Sequence, residues 1–294
     1  MKKRLRIRGI LWMILVITMC GLISCQTQEE KHLKEALSLP YANKEELRKV
    51  LDHYKRDSLK YQAVCFLIQS MPFHAGYEGN ALKQYYRYFD LYAQGKLGPH
   101  EVIDSLKENS FSVSQLRRIE DIANIDSSLL VQNVDWAFKV WREQPWGKNV
   151  SFDNFCEFIL PYRLGDEPLG FWREDIYKRY NPILDSIRLL PQAQDPLVAA
   201  KVLMDSLVVE QSHFTGLFPA GPHLGPSVVS WRAGSCREFA DLVVYVMRAL
   251  GIPCGTDYMA MRGDNNVSHF WNFTLDKDGK TYITEFPDPN WNGL

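Results

Sequence analysis

The sequence lacks several features that would have fixed its class at once. It has no excess of one charge: 34 Lys and Arg against 35 Asp and Glu give a formal net charge of −1. That balance argues against a dedicated nucleic-acid binder, whose basic residues would be concentrated in one patch. Its six cysteines include no CxxC pair, so a structural zinc site is not expected. It has no glycine-rich phosphate cradle and no internal repeat. Beyond residue 24 no apolar run approaches 18 residues, so no membrane-spanning helix is expected there. The 18 Gly and 15 Pro among 294 residues exclude collagen-like and low-complexity chains. What is present, 46% hydrophobic and 13% aromatic residues, fits one or two ordinary globular domains.

The even charge balance conceals an uneven distribution. Lys2, Lys3, Arg4, Arg6 and Arg8 stand in a segment with no acid, and without residues 1–24 the chain has 29 basic against 35 acidic residues. An apolar run over residues 10–19 follows. This is the pattern of a secretory signal peptide, short for a bilayer span. Leu22-Ile23-Ser24-Cys25 resembles the lipobox of bacterial lipoproteins. The resemblance implies a signal peptide over 1–24 and lipidation of Cys25 on its thiol and amine, which supplies the several acyl chains that stable anchoring needs. An ordinary signal peptide or an uncleaved anchor is the alternative. Gln26, not Asp, follows Cys25, which resembles delivery to an outer membrane. The expected location is the cell envelope, tethered to the membrane by lipid, with the periplasmic or surface face left open.

Cys20 would leave with the leader, and Cys65, Cys156, Cys236 and Cys254 remain beside the lipidated Cys25. Four cysteines permit three pairings, yet a chain of this length can build its core without disulfides.

Residues 25–195 read as a mostly helical region. Asn43, Glu45 and Glu46 mark a helix start, and Leu47, Val50, Leu51 and Tyr54 recur at helical spacing. A second helix over 58–70 carries Cys65 as a buried small hydrophobe. Residues 73–79 (FHAGYEG) read as a loop. The tyrosines of the following segment read as core more readily than as a sugar or peptide platform. Residues 161–171, with Tyr162, Arg163, Asp166 and Glu167, form a Gly- and Pro-rich loop suited to line a groove or simply to cross the surface. Residues 191–196 (PQAQDP) mark the expected boundary, and 196–294 form a second unit of different character.

That second unit holds the chemistry. After a helix over 197–211 and a Gly/Pro-rich stretch, Phe239, Leu242, Val243, Val246, Met247 and Leu250 outline a wide apolar helix face. Ser235 with Glu238 is a capping box, and Gly251 and Pro253 supply the stop. Cys236 therefore opens the first turn, where the positive helix end and its unsatisfied N–H groups favour the nucleophilic form of the sulfur. Gly234 is expected to permit a sharp turn and to leave room for a substrate. From Cys254 the period changes to two. Residues 254–262, 269–275 and 280–286 read as strands, the last two joined by a three-residue loop with Gly279 left-handed. Counting from that loop sets Trp271 opposite Glu285, with His269 diagonal to it on one sheet face. Asp288 has the opposite parity and needs a bulge to join them. A histidine beside a carboxylate, joined to a helix-start cysteine, is the arrangement of an activated nucleophile. His213 and His223 lie in the Gly/Pro stretch without a third ligand at metal spacing, so neither metal nor cofactor is expected.

The run GSCREFADLVVYVMRALGIPC, with SHFWNF and GKTYITE after it, resembles the core of the transglutaminase-like superfamily, related in architecture to papain-like proteases. The resemblance covers about residues 197–290. The whole chain is also generally similar to lipoproteins of Bacteroidota-type bacteria that carry such a domain. It implies an α+β fold, a helical N-terminal module followed by a central helix packed on an antiparallel sheet. It further implies Cys236 as nucleophile, His269 as base and Glu285 as orienting acid. Two positions depart from the family pattern: Glu285 stands for an Asp and Thr281 for a Trp. Family domains commonly continue with another strand where this chain stops at Leu294, as a core truncated at its C-terminus would. The expected function is acyl transfer, hydrolysing amide or peptide bonds in peptide, protein or peptidoglycan-derived substrates. An inactive binding or assembly module and an amine-transferring crosslinker are the alternatives. No nucleic-acid partner is expected.

Overall fold

The computed structural model describes residues 28–109, 111–215, 221–263, 266–284 and 286. Residues 28–108 are mainly helical: α1 (Gln28–Ser38), α2 (Lys44–Tyr54), α3 (Ser58–Ser70), β1 (Ala75–Glu78), α4 (Asn80–Ala93) and α5 (Pro99–Glu108). A mixed core follows, with β2 (Arg117–Glu120), α6 (Asp121–Asn124), α7 (Ser127–Glu143), α8 (Phe152–Phe158), α9 (Arg173–Tyr180) and α10 (Pro196–Val209). It continues through β3 (His213–Phe214), α11 (Val228–Trp231), β4 (Ala233–Gly234), α12 (Cys236–Ala249), β5 (Cys254–Met259), β6 (His269–Leu275) and β7 (Thr281–Thr284). The α+β class expected from the sequence is the one observed.

Local signals placed the helices well. Asp57, Asp126, Ser151 and Asp195 each accept a backbone N–H at the start of α3, α7, α8 and α10, which satisfies donors a helix cannot pair internally. The strands of the N-terminal region were not foreseen. Residues 75–78, read as part of a loop, pair antiparallel with β2 from Ala75↔Glu120 to Glu78↔Arg117. The partner lies some forty residues away, and a Gly-containing four-residue strand has no periodicity of its own to announce it.

Sheet order in the C-terminal unit is β5-β6-β7, antiparallel throughout. The predicted hairpin register is observed, running from Leu275↔Thr281 to Asn272↔Thr284. Asp276 N–H donates to Lys280 O at 2.9 Å, and Gly279 has φ +79°, a conformation that costs glycine nothing.

One apolar cluster joins Leu82, Tyr85 and Phe89 of α4, Ile176 of α9, Leu203 and Leu207 of α10, and Phe239, Leu242, Val246 and Met247 of α12. A second joins α2, α3, α7 and α8 through Leu47, Leu67, Phe138 and Phe155. Within 191–196, Pro191–Gln194 form a short 3-10 turn with Ala193 fully buried, and the first cluster draws on residues either side of it. Every residue of α12 from Glu238 to Ala249 is buried. The sequence outlined one apolar face; the structure wraps the helix on all sides.

Candidate active site

Cys236 is the first residue of α12 and is half-buried. The predicted capping box is present: Glu238 Oε2 accepts from Ser235 N at 2.9 Å and from Ser235 Oγ at 2.7 Å. Its other oxygen accepts from Arg237 Nε at 2.7 Å, and Arg237 Nη1 reaches Gly221 O at 3.0 Å. The turn that starts the helix is therefore held by a fully buried carboxylate. Gly234 has φ +142°, and a Cβ there would come within 2.5 Å of Glu238 Cβ and Cγ. The space expected for a substrate is filled by the capping side chain, so the glycine serves the turn and not the ligand.

The other described cysteines, Cys65, Cys156 and Cys254, are free. Burial pushes Cys254 up to about 12 and Cys156 up to about 12. Cys65, half-buried where full burial was expected, is pushed up to about 11, again by burial first. Cys65 and Cys156 line a cavity of about 670 Å³ with Glu29, Tyr61, Phe66 and Phe152, to which Cys236 does not contribute. A thiol so desolvated stays protonated and inert at neutral pH.

α12 lies against β6, and the two run the same way. Asn272 Nδ2 donates to Ala240 O at 3.0 Å, and Leu275 N–H donates to Pro253 O at 3.1 Å just past the helix end. Moving back along both elements leads to Cys236 on one and His269 on the other, so the two share one end of the layer. Their faces differ from expectation. Asn272, Thr274 and Thr284 are buried, Asn272 against the helix, and strand alternation turns His269, Trp271 and Phe273 to the other side. The His269 and Trp271 rings stack at 5.8 Å, and Phe273 meets Phe158 edge-on at 5.6 Å. The face expected to be apolar and to carry the histidine is real, but the helix packs on its reverse, which is lined by an amide and two hydroxyls. Glu285, Asp288 and Cys25 lie outside the described residues.

The polar side of α12 escaped the sequence reading. Asp241 Oδ2 and His223 Nδ1 are 2.7 Å apart, with Asp241 buried. Burial disfavours the imidazolium, but the Asp241 charge and hydrogen bond outweigh it and raise His223 to about 9. Tyr245 donates to Glu167 Oε1 at 2.7 Å. Glu167 also accepts Leu164 N and Gly165 N. Burial works against its ionised form, yet these donors and the Arg163 charge hold its carboxyl below the usual range. Arg163 in turn meets Asp121 at 2.8 Å. The 161–171 loop, read as groove lining or surface, is both: Tyr162, Arg163 and Glu167 are buried and act as a brace, while Phe171 at its far end is exposed and lines a cavity of about 280 Å³. The signal that could have revealed it was the charged stripe Arg237, Asp241, Tyr245 and Arg248 at helical spacing, too regular for a helix that is apolar on one side and free on the other.

Residues 192–284 match the family model of the transglutaminase-like superfamily core. That segment is similar to a transglutaminase-like core. It begins just before α10 and ends with β7, so it contains both Cys236 and His269. No curated protein and no solved structure matches the chain. Among the described residues, no three His, Cys, Asp or Glu side chains are grouped to hold a metal ion, and no helix is long and apolar enough to cross a membrane.

Proposed function

We propose that the chain is a cysteine acyl-transfer enzyme of the cell envelope that hydrolyses amide or peptide bonds, with Cys236 as nucleophile, His269 as base and Glu285 as the acid that orients it. The observation that carries the reading is the position of Cys236. It opens a helix buried from Glu238 to Ala249, its first turn is fixed by Glu238, and the direction of β6 along that helix supports a reading in which His269 stands near it. The Cys236 thiol gives its proton to the His269 imidazole, and the sulfur attacks the substrate carbonyl carbon. The oxygen that gains charge is stabilised by the Cys236 backbone N–H at the positive helix end. Collapse expels the amine, which takes the proton from the imidazolium and leaves a thioester on Cys236. Water, deprotonated by His269, then releases the acid and restores the thiol. An amine in place of water would crosslink instead. The substrate class is a peptide, a protein or a peptidoglycan-derived amide, and the lipid on Cys25 keeps the enzyme at the membrane, on the outer-membrane side of the envelope.

A binding or assembly module without catalysis is the second reading, favoured by the strand alternation that turns His269 from the helix-facing side. Turnover of a peptide, peptidoglycan and amine library by wild type and by Cys236→Ala decides between them. Turnover that disappears in Cys236→Ala supports the enzyme; ligand binding shared by both, with no turnover in either, supports the module. Labelled palmitate incorporated by wild type and not by Cys25→Ser tests the anchor.

A further inference from the structure

β5 is an edge of its sheet: it pairs with β6 on one side and with no strand among the described residues on the other. Residues 256–261 are exposed throughout. Soluble proteins guard such an edge with lysine, proline or a covering segment, because its free N–H and C=O groups pair readily with another chain. Residues 256–261, the outer part of β5 and the two residues past it, read Thr-Asp-Tyr-Met-Ala-Met with no proline, and Arg262 after them is the first basic residue. Its large side chains are unusually bare: Tyr258 is 58% exposed, Met259 42% and Met261 65%, and Val267 across the turn is 58% exposed. The Tyr258 ring rests on Phe270 at 4.6 Å, and Met259 pairs directly with His269, which sets their Cα atoms ~5 Å apart. On the Cys236 side, Phe214 pairs with Gly234 and is 52% exposed, its ring 5.7 Å from Phe239. A concentration of bare apolar side chains beside a reactive end marks a binding surface, and thioether side chains adapt to varied partners.

We propose that the β5 edge binds substrate as an added strand, an extended peptide whose bulky apolar side chains meet Tyr258, Met259, Met261 and Val267, with Phe214 supplying an apolar contact on the Cys236 side. The inference rests on the acyl-transfer reading, which makes the Cys236–His269 end the place where a substrate must lie. Main-chain bonds to the edge supply affinity, and alternate side chains on the two faces of β5 supply specificity. Asp257 and Arg262, one of each sign along this stretch, suit a segment of little net charge.

The test uses the mature chain carrying Cys236→Ala and short fluorescent peptides in three forms: Leu- and Phe-rich, the same with Ser and Asp in those places, and the apolar form N-methylated at alternate residues. Tight binding is expected for the apolar form, weaker by about tenfold or more for the other two. The exposed pair Met261→Lys and Val267→Lys should weaken the apolar form similarly. Equal binding of polar and apolar peptides, or of N-methylated and plain ones, overturns the inference; these arms change the peptide and not the fold. Binding by the double variant equal to that of the parent also overturns it. So does a Met261/Val267 dependence confined to anionic vesicles, or to a concentration-dependent dimer. Turnover that needs Cys236 yet ignores the double variant sinks this inference alone. Peptide binding with the expected pattern, in a chain whose wild type turns over none of the peptides, supports the surface and sinks the acyl-transfer reading.

Discussion

The two ends of α12 are built in opposite ways. At the C-terminal end Arg248 donates to Phe158 O, Pro161 O and Arg163 O, while Trp146 Nε1 donates to Leu250 O at 2.8 Å. Arg173, fully buried, donates to Ile159 O at 2.6 Å, Leu160 O at 2.9 Å, Pro161 O at 3.1 Å and Asn133 Oδ1 at 2.6 Å, and touches Arg248 O at 3.2 Å. At the N-terminal end Cys236 is half-buried, Phe214 is exposed, and the β5–β6 tip stands bare. A helix anchored so firmly at one end can hold the other in place without covering it, which is what a reactive group on a rigid element requires.

The largest effect should separate the ends by rate. Glu285→Gln is expected to slow turnover by about 10²–10⁴-fold, as loss of an orienting acid does generally, while Asp288→Asn changes it little. Urea unfolding of both variants should match wild type. Equal loss from Asp288→Asn, with Glu285→Gln silent, would transfer the role to Asp288.

The mirror effect belongs to the anchored end. Arg173→Met takes one donor from each of the Ile159, Leu160, Pro161 and Arg248 carbonyls and from Asn133 Oδ1, while Leu160 O keeps Asn133 Nδ2 and Pro161 O keeps Arg248 Nη1. With a few buried acceptors left unpaired it should cost roughly 3 kcal/mol of stability. The loss should appear as a lower urea midpoint, and a midpoint within error of wild type would refute the anchoring account.

Between the ends, the His223–Asp241 pair predicts a pH dependence. A histidine raised from 6.5 to about 9 by folding stabilises the fold fully below 6.5. Its contribution falls as pH climbs toward 9, by on the order of 3 kcal/mol in all. Glu167 and Arg237 also face the imidazole, and Asp166 holds its backbone N–H at 2.7 Å. Unfolding measured from pH 6 to 10 should show that decline in wild type and a flatter profile in His223→Gln. Identical slopes would remove the pair from the account.

The smallest effect tests the turn at Cys236. Ser235→Ala deletes the hydroxyl bonded to Glu238 Oε2 and should cost about 1 kcal/mol, the usual value of a helix cap, read as a modest shift in the same midpoint.

What was legible in the sequence was local. Ser235 and Glu238 are three residues apart, and Asp276 to Lys280 spans one turn, so the chemistry of each is complete within a few residues. The helix start at Cys236 and the β6–β7 register could be counted from the chain. The face of β6 that meets the helix could not, because Asn272, Thr274 and Thr284 carry no mark distinguishing a buried polar face from a solvated one. That choice depends on Ala240 O lying ready for the Asn272 amide.

By itself, then, the sequence determined where α12 begins, that Cys236 opens it, and how β6 pairs with β7, since capping and turn geometry act over three to five residues. Tertiary structure alone decided that Asp241, Tyr245 and Arg248 are enclosed, and that residues 162–167 form a brace. Charged groups can be buried only where partners meet them, and here the partners come from 18 to 90 residues away: His223 to Asp241, Glu167 to Tyr245, Phe158 to Arg248. Only the folded chain brings such separations within 3 Å or so.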